Sequence, residues 1–386
     1  MRRCAVPAAL VVAAMGAAAV LAYGTRASLA RFDGGVDVIV YVRRIQWLLV
    51  AVSLISSLSL LAMVIANRLA PWWLVALAPV LVLLTLRFGS RPTAALLEID
   101  VSQFAFADHP AAPRDDEPVV GLEFNGCAYA FPYRALGARP IVAVTDYSKR
   151  VLLMWSPGAA RAVAVNVTRE LRPRALEVVS RPAGALLVND RRYGQFISSV
   201  TGKLVSGGTP IGLAGTIPVT KTTWGAWRTA HPNTGVLLLD AEPEIYPQPH
   251  EWPKRVTDAA PSGLSVIVIG TSPPIALPES IVSNQPLNLG GGRLRVLLVR
   301  DPKTGAPHAF ERRVSDDLFP TFAWRGELSH HPEAPLIDSD SQSLWTLDGE
   351  AVDGPLKGEH LGRLSAEGGL RWGPMKFWYP DLRLVR

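Results

Sequence analysis

Three apolar segments without a charged residue lie in the N-terminal quarter of this chain of 386 residues. They are residues 4–25, 45–67 and 69–86, about 22, 23 and 18 residues long. A helix needs about 20 apolar residues to cross the hydrocarbon core of a bilayer. The sequence therefore predicts a three-helix transmembrane region at 1–96, with the lipid bilayer as a partner of the chain.

The positive charge of the chain is concentrated beside these segments. The formal net charge is +6, from 39 Lys/Arg and 33 Asp/Glu. Nine of the bases and two of the acids lie in residues 1–97, which leaves 30 bases and 31 acids in the remaining 289 residues. A nucleic-acid surface needs clustered positive charge on the soluble part of a protein. We therefore expect no nucleic-acid partner.

Two criteria disagree about the side of the membrane on which the soluble region lies. Arginine counting over the short loops places the larger positive charge, six against three, on the side of the soluble region, which favours a cytoplasmic location. However, Arg2 and Arg3 before an Ala/Val-rich segment are typical of an uncleaved signal anchor. Our working prediction is a multi-pass protein of the cell membrane with an extracytoplasmic soluble region.

A second large-scale feature is a domain-length repeat in the soluble region. Trp224 and Trp372 are 148 residues apart, and so are Pro232 and Pro380. Solenoid and propeller repeats have periods of roughly 20–50 residues, so this repeat is a whole domain. We predict a first module at 118–241 and a second at 264–386, with a polar linker at 97–117 and a Pro-rich linker at 242–263.

Short β-branched runs bounded by Gly, Pro or Asn fill both modules. Such runs are typical of strands, and their spacing favours antiparallel sheets over alternating strands and helices. In the first module they are residues 119–124, 141–144, 151–155, 162–167 and 186–188, followed by a helical pattern at 222–230. The predicted fold class is α+β, with N-terminal transmembrane helices followed by two tandem, mostly antiparallel β-rich modules.

Four motifs in the same order carry a family resemblance, and the second of them is the segment at 154–163, which reads MWSPGAARAV, with VRDPKT at 299–304. Residues 129–132 read YAFP and 275–278 read IALP, and residues 195–202 read QFISSVTG where 343–349 read SLWTLDG. Residues 222–234 read TTWGAWRTAHPNT. In this pattern the chain resembles the domain of unknown function 3179, a family of bacterial and archaeal proteins.

The resemblance also implies a Cys-x-x-Cys pair that this chain lacks. The corresponding positions hold Ser156 and Ala159 in the first module, and Asp301 and Thr304 in the second. Two thiolates on one turn can share a metal ion or form a disulfide. None of the four residues present can do thiol chemistry, and the chain has only two cysteines, Cys4 and Cys127.

The remaining polar residues give several candidate ligand-binding positions. We single out Ser156, His231, Asp301, Thr304, Asp340 and Trp345. Each residue also has a purely structural explanation. Asp301 can belong to a turn, because Asp-Pro and a nearby Gly favour turns. Asp340 can lie in a solvated loop, and His231 and Trp345 can serve in packing. A Trp345→Ala cost of about 1–3 kcal/mol, below the roughly 3–5 of a truncated core aromatic, would favour a binding role.

No metal site, cofactor or catalytic constellation is predicted. The adjacent His330 and His331 point to opposite faces of an extended chain, and no phosphate-binding Gly loop or Gly-x-Ser-x-Gly elbow is present. We therefore favour a membrane-anchored, non-catalytic module that binds a protein partner or a small ligand. The alternatives are a metal-assisted or hydrolytic enzyme using Asp301, Asp340 and Trp345, and a purely structural envelope protein.

Overall fold

The N-terminal region is helical in the computed structural model. The model describes residues 2–66, 68–88, 96–205, 207–239, 260–282, 285–291, 294–315, 318–326 and 330–385. The helices are α1 (Arg2–Tyr23), α2 (Gly35–Arg44), α3 (Gln46–Ile65) and α4 (Ala78–Phe88), with 3-10 turns at Ala27–Arg31 and Pro71–Leu77.

Three of these helical segments are long and apolar enough to cross a membrane. They are Ala5–Tyr23, Gln46–Ile65 and Pro71–Phe88. Small residues let the helices approach, since Ala14, Ala18 and Val80 are buried together, and the Ser53 hydroxyl donates to the Ala14 carbonyl oxygen at 3.3 Å. Many of the large aliphatic side chains of α3 are exposed on the surface of the helix.

Helix α2 attaches the helical region to the β-rich region. Ile39 and Val40 on its buried face pack against Leu187 and Phe196. At its C-terminal end, the Arg43 Nε donates to the Glu177 carboxylate at 3.1 Å, immediately before α3 begins. The β-rich region is therefore held against the end of α3 from which the second apolar segment starts.

Strands dominate the first half of the β-rich region. One sheet has the order β1-β5-β6-β7-β11, a second has the order β12-β3-β4-β13-β2, and β8, β9 and β10 form a third. The strands are β1 (Leu96–Asp100), β2 (Ala105–Phe106), β3 (Pro118–Phe124), β4 (Cys127–Pro132), β5 (Ile141–Asp146), β6 (Lys149–Ser156), β7 (Arg161–Val167), β8 (Leu176–Ser180), β9 (Leu187–Asp190), β10 (Gln195–Ser198), β11 (Leu213–Ile217), β12 (Val219–Thr223) and β13 (Gly235–Val236). Two short helices, α5 (Tyr133–Ala138) and α6 (Trp224–Ala230), lie between them.

The second half is built from three four-stranded sheets. Their orders are β24-β14-β15-β25, β16-β17-β18-β23 and β19-β20-β21-β22. The strands are β14 (Ser265–Ile269), β15 (Ile275–Pro278), β16 (Leu287–Gly291), β17 (Leu294–Arg300), β18 (Pro307–Glu311), β19 (Phe322–Trp324), β20 (Leu336–Asp338), β21 (Leu344–Trp345), β22 (Ala351–Asp353), β23 (Gly362–Leu364), β24 (Ala366–Arg371) and β25 (Arg383–Leu384). Helix α7 (Trp372–Trp378) follows β24.

The predicted N-terminal helices and the predicted β-rich region of mostly antiparallel sheets are confirmed. Parallel pairing occurs between β1 and β5, between β4 and β13, and between β15 and β25. The segment 97–117, predicted to be a linker, instead carries most of β1 and all of β2, which extend the first two sheets. Its apolar residues Leu97 and Ile99 alternate with the polar Glu98 and Asp100, which is the period of a strand. Most of the predicted linker 242–263 lies outside the described residues.

Buried apolar residues form one cluster that spans both halves. Ala159, Ala185 and Val200 pack with Val266 and Trp372. The contact is close, because a side chain at Gly184 would meet Pro374 at 3.0 Å. The boundary between the halves is therefore packed like the interior of a domain.

Candidate functional site

Ser156 ends β6 at the boundary between the two halves, with its hydroxyl fully buried. Its Oγ lies 2.5 Å from the Ser199 Oγ, which also accepts from the Leu186 amide at 2.7 Å. Ala159, three residues later, is fully buried, and its carbonyl oxygen accepts from the Arg371 amide at 3.1 Å. The Ser156 hydroxyl is therefore used within the first half, and the Ala159 carbonyl oxygen forms the hydrogen bond of this turn to the second half.

Asp301 and Thr304 occupy the turn between β17 and β18, and their side chains bond to each other. The Asp301 carboxylate accepts from the Lys303 amide at 2.8 Å and from the Thr304 hydroxyl at 2.7 Å. Gly305 closes the turn with φ of 70°, a conformation that favours glycine. The local bonds are those of an Asx turn.

The turn at 301–305 also lies on the boundary between the halves. The Thr222 hydroxyl on β12 donates to the Thr304 carbonyl oxygen at 3.3 Å. Each half has one turn that corresponds to the Cys-x-x-Cys segment implied by the resemblance. The structure places both turns, 156–159 and 301–304, at the same boundary. Asp340, Trp345 and His231 lie elsewhere.

Asp340 and Trp345 have different partners, although they are close in sequence. The exposed Asp340 accepts from the Thr321 amide at 2.8 Å. Trp345 is fully buried, contacts Phe322 edge-to-face at 5.5 Å, and donates its indole N–H to the Asp338 carboxylate at 2.9 Å. Trp345 is thus part of the core of its sheet.

His231 lies just after α6 and packs against the outer end of that helix. Its ring centroid is 4.0 Å from that of Trp227, and its Nε2 is 4.0 Å from the Glu123 carboxylate. Trp227 is itself fixed by a 2.9 Å hydrogen bond to the Thr234 hydroxyl. These contacts are those of a packing and helix-ending residue.

The sequence interpretation missed a charged network at the boundary between the halves. The Arg161 Nε donates to Glu367 at 2.9 Å, and one Arg161 Nη donates to the Tyr379 hydroxyl at 2.6 Å and to the Val200 carbonyl oxygen at 2.8 Å. Lys221 donates to the Ala160 carbonyl oxygen at 2.8 Å and lies 3.7 Å from Glu367. Arg161 and Lys221 come from the first half, and Glu367 and Tyr379 from the second.

Burial and charge compete in this network. Burial lowers the pKa of Arg161, but Glu367 and Tyr379 outweigh it, so the net pKa of Arg161 is above its usual value. For Lys221 burial outweighs the attraction of Glu367, and its pKa is below the usual value. Burial, and next the charge of Glu367, raise the pKa of Tyr133 to about 12. Glu367 is therefore the carboxylate that two buried cations share.

A second carboxylate, Glu279, bonds to the strand that carries Glu367. It accepts from the Gly369 amide at 2.8 Å, from Arg300 at 3.0 Å and from the Ser265 hydroxyl at 2.7 Å. Burial opposes the ionisation of Glu279, but these hydrogen bonds outweigh it and hold its pKa below the usual value. All three donors lie in the second half. The hydrogen bonds of Glu279 therefore stabilise β24 within that half and do not cross the boundary.

Little in the sequence could have revealed the network. Arg161 and Glu367 are 206 positions apart, and Arg161 and Tyr379 are 218 apart. Neither pair belongs to a short motif, and a single long-range ion pair leaves no periodic signal. Only the folding of the two halves against each other brings these groups together.

Two buried carboxylates 148 positions apart, one in each half, differ in their hydrogen bonds. Asp338 accepts the Trp345 indole N–H, whereas Asp190, 148 positions earlier, is fully buried with an Oδ2 that has no hydrogen-bond partner in the described part of the chain. Ile197, which cannot donate a hydrogen bond, occupies the position 148 residues before Trp345. The missing donor explains the unpartnered oxygen of Asp190.

Metal-ligating side chains are dispersed across the described residues. Among these residues, no group of three or more His, Cys, Asp or Glu side chains is arranged to hold a metal ion. Cys127 is a free, exposed thiol.

Comparison with known proteins identifies a family but no characterised relative. A family model described as a protein of unknown function, DUF3179, matches residues 98–380, which confirms the resemblance predicted from the motifs. No curated protein and no solved structure gives a significant match. The matched range covers well over half of the chain and includes both halves of the β-rich region. The chain therefore belongs to the DUF3179 family of proteins of unknown function.

Proposed function

We propose that this chain is a membrane-anchored, non-catalytic module that binds a protein partner or a small ligand. The observation that carries the proposal is that the candidate reactive groups form hydrogen bonds to other groups of the protein itself. Ser156 bonds to Ser199, and Asp301 bonds within its own turn to Lys303 and Thr304. Groups committed to such bonds are poorly placed to act as nucleophile or general base, which must reach a substrate.

The binding module consists, in this proposal, of two tandem copies of one fold, at 118–241 and 264–386. The strand orders support this interpretation. Strands β12, β3, β4 and β13 lie side by side as β24, β14, β15 and β25 do, with the last pair parallel in each sheet. The order β5-β6-β7-β11 likewise corresponds to β16-β17-β18-β23. The copies have lost the family's cysteine pair and act as one unit through their shared boundary.

The enzyme alternative would require Asp301, Asp340 and Trp345 to form one site. Each has a different partner: Thr304, Thr321 and Asp338, respectively. Because an active site needs its groups within hydrogen-bonding reach of one substrate, this arrangement favours the binding module.

Metal analysis of the purified full-length chain tests the non-catalytic proposal. We expect no stoichiometric transition metal by plasma mass spectrometry, and unchanged thermal unfolding after treatment with EDTA. A stoichiometric metal that is lost in Asp301→Asn or Asp340→Asn would contradict the proposal and support a metal-assisted enzyme. Arg363→Gln, a substitution of a mostly exposed residue, controls for loss of metal through general destabilisation.

The soluble region lies, in this proposal, on the extracytoplasmic side of a multi-pass membrane protein. Arg2 and Arg3 before the first apolar helix support this orientation, as in a signal anchor. Alkaline phosphatase fused to the C-terminus should be active, and a C-terminal green fluorescent protein fusion should be dark. If the phosphatase fusion is inactive at normal expression and the green fluorescent protein fusion is fluorescent, the soluble region lies in the cytoplasm.

A further inference from the structure

A cleft of about 630 Å³ opens on the first half, away from the boundary between the halves. Ligand pockets commonly have volumes of about 300–1,000 Å³, so the cleft is large enough for a small molecule. Its walls come from β1, from the hairpin between β5 and β6, and from the segment after β7. The residues on which the argument depends are Glu98, Tyr147, Arg150, Arg169, Arg172 and Arg174.

Arginines give this cleft a strong positive charge. The Arg174 side chain is paired with Glu98 at 3.2 Å, whereas the guanidinium groups of Arg150, Arg169 and Arg172 have no hydrogen bond or ion pair with the described part of the chain. The lining thus has a formal excess of three positive charges, although residues 98–386 together have a formal charge of −1. Like charges gathered in one concave site repel each other and raise the local concentration of anions.

The backbone that carries two of these arginines is held in place. Pro173 between them is buried, and the Ala175 amide donates to the Arg172 carbonyl oxygen at 2.8 Å. Arg191 also donates to the Arg174 carbonyl oxygen at 3.0 Å. Because the loop is already ordered, the free energy of ligand binding would not be reduced by the entropy cost of ordering it.

Tyr147 marks the rim of the cleft as a strained position. Its side chain is 95% exposed, and its backbone has φ of 50°, a region that a bulky residue rarely adopts. Such strain costs about 1–3 kcal/mol and is concentrated at ligand-binding positions and turns. Asp146 pairs with Lys149, so the positive φ of Tyr147 belongs to a two-residue hairpin turn, which places the exposed ring at the rim of the cleft beside the arginines.

We propose that this cleft binds an anion that carries phosphate groups. The planar guanidinium groups of Arg150, Arg169 and Arg172 match the oxygens of a phosphate, which accepts paired, charge-assisted hydrogen bonds. The cleft is also near the membrane-proximal part of the fold. Glu177, three residues after Arg174, pairs with Arg43 at the start of the second apolar helix. The phosphate belongs either to a lipid headgroup or to a soluble compound.

The test is binding of inorganic pyrophosphate to the full-length chain in lipid nanodiscs, measured by calorimetry. We expect binding that weakens as salt is added, since salt screens exposed charges. The double variant Arg169→Gln/Arg172→Gln should bind about tenfold or more weakly, because hydrogen bonds to charged groups contribute strongly to affinity. Arg228→Gln removes a guanidinium that is 45% exposed and paired with Asp115, and should leave binding unchanged.

Two lipid compositions separate the sources of the phosphate. If the natural ligand is a headgroup, phosphatidylglycerol in the nanodisc should compete with pyrophosphate, relative to discs of phosphatidylcholine alone. If the ligand is soluble, the two compositions should give the same affinity. Absence of pyrophosphate binding in both discs, or equal binding by the wild-type chain and the double variant, overturns the proposal.

Discussion

Glu367→Gln should lower the free energy of unfolding by about 3 kcal/mol. Removal of one partner from a buried ion pair costs roughly 3–5 kcal/mol, because the remaining charge stays buried without compensation. Here two cations, Arg161 and Lys221, share the carboxylate, and their side chains are only 20% and 11% exposed. We expect the lower end of the range because Glu367 itself retains 22% exposure. Urea unfolding of the detergent-solubilised chain measures the effect.

Asp115→Asn is the matched control for this change. It also neutralises one carboxylate of an Arg–carboxylate pair, but Arg228 and Asp115 are 45% and 69% exposed. Exposed pairs contribute about 0–1 kcal/mol, so the control should be nearly neutral. Equal effects of Glu367→Gln and Asp115→Asn would show that the boundary network contributes no more than a surface ion pair.

The network also bears on how the two halves are related. Arg161 and Lys221 of the first half meet Glu367 of the second, and the apolar cluster around Trp372 continues across the same boundary. If the halves unfold as one unit, loss of Glu367 should lower the stability of both. Tryptophan fluorescence and circular dichroism should then report a single coincident transition.

The fold was predictable where the sequence carries a period. The apolar run at 45–67 predicts α3, and the short apolar run at 119–124 predicts β3 within one residue. The helical pattern at 222–230 ends where α6 ends, because Trp224 and Trp227 face the same core three residues apart. These elements depend on the spacing of apolar residues that are near neighbours in the chain, and this spacing can be read from the sequence alone.

The candidate site was less predictable, because its bonds join distant parts of the chain. Glu367 had no local signal, and its partners Arg161 and Lys221 come from strands β7 and β12. The motif comparison directed attention to Ser156 and Asp301, and both lie at turns on the boundary. It did not show that their polar groups bond within the protein, since that depends on Ser199 and on the conformation of a single turn.

Trp345 was proposed as a binding residue from its motif, and its burial changes the expected cost of its loss. The side chain is fully buried among Leu297, Phe310 and Phe322, in contrast to an aromatic residue that lines an open site. Trp345→Ala should therefore lower the free energy of unfolding by about 3–5 kcal/mol, the range for a truncated core aromatic. The earlier expectation of about 1–3 kcal/mol belongs to a partly exposed binding residue.

Two milder substitutions separate the packing of Trp345 from its hydrogen bond. Trp345→Phe keeps an aromatic ring but removes the indole N–H that Asp338 accepts, and should cost about 1–3 kcal/mol, as for a buried acceptor that loses its partner. Asp338 retains the Ser341 hydroxyl at 2.7 Å, which favours the lower end of that range. Ile197→Val, at the position 148 residues earlier in the first half, should lower the free energy of unfolding by about 0.5–1.5 kcal/mol. If Trp345→Ala cost no more than Ile197→Val in urea unfolding, the core assignment would fail and a binding role for Trp345 would regain support.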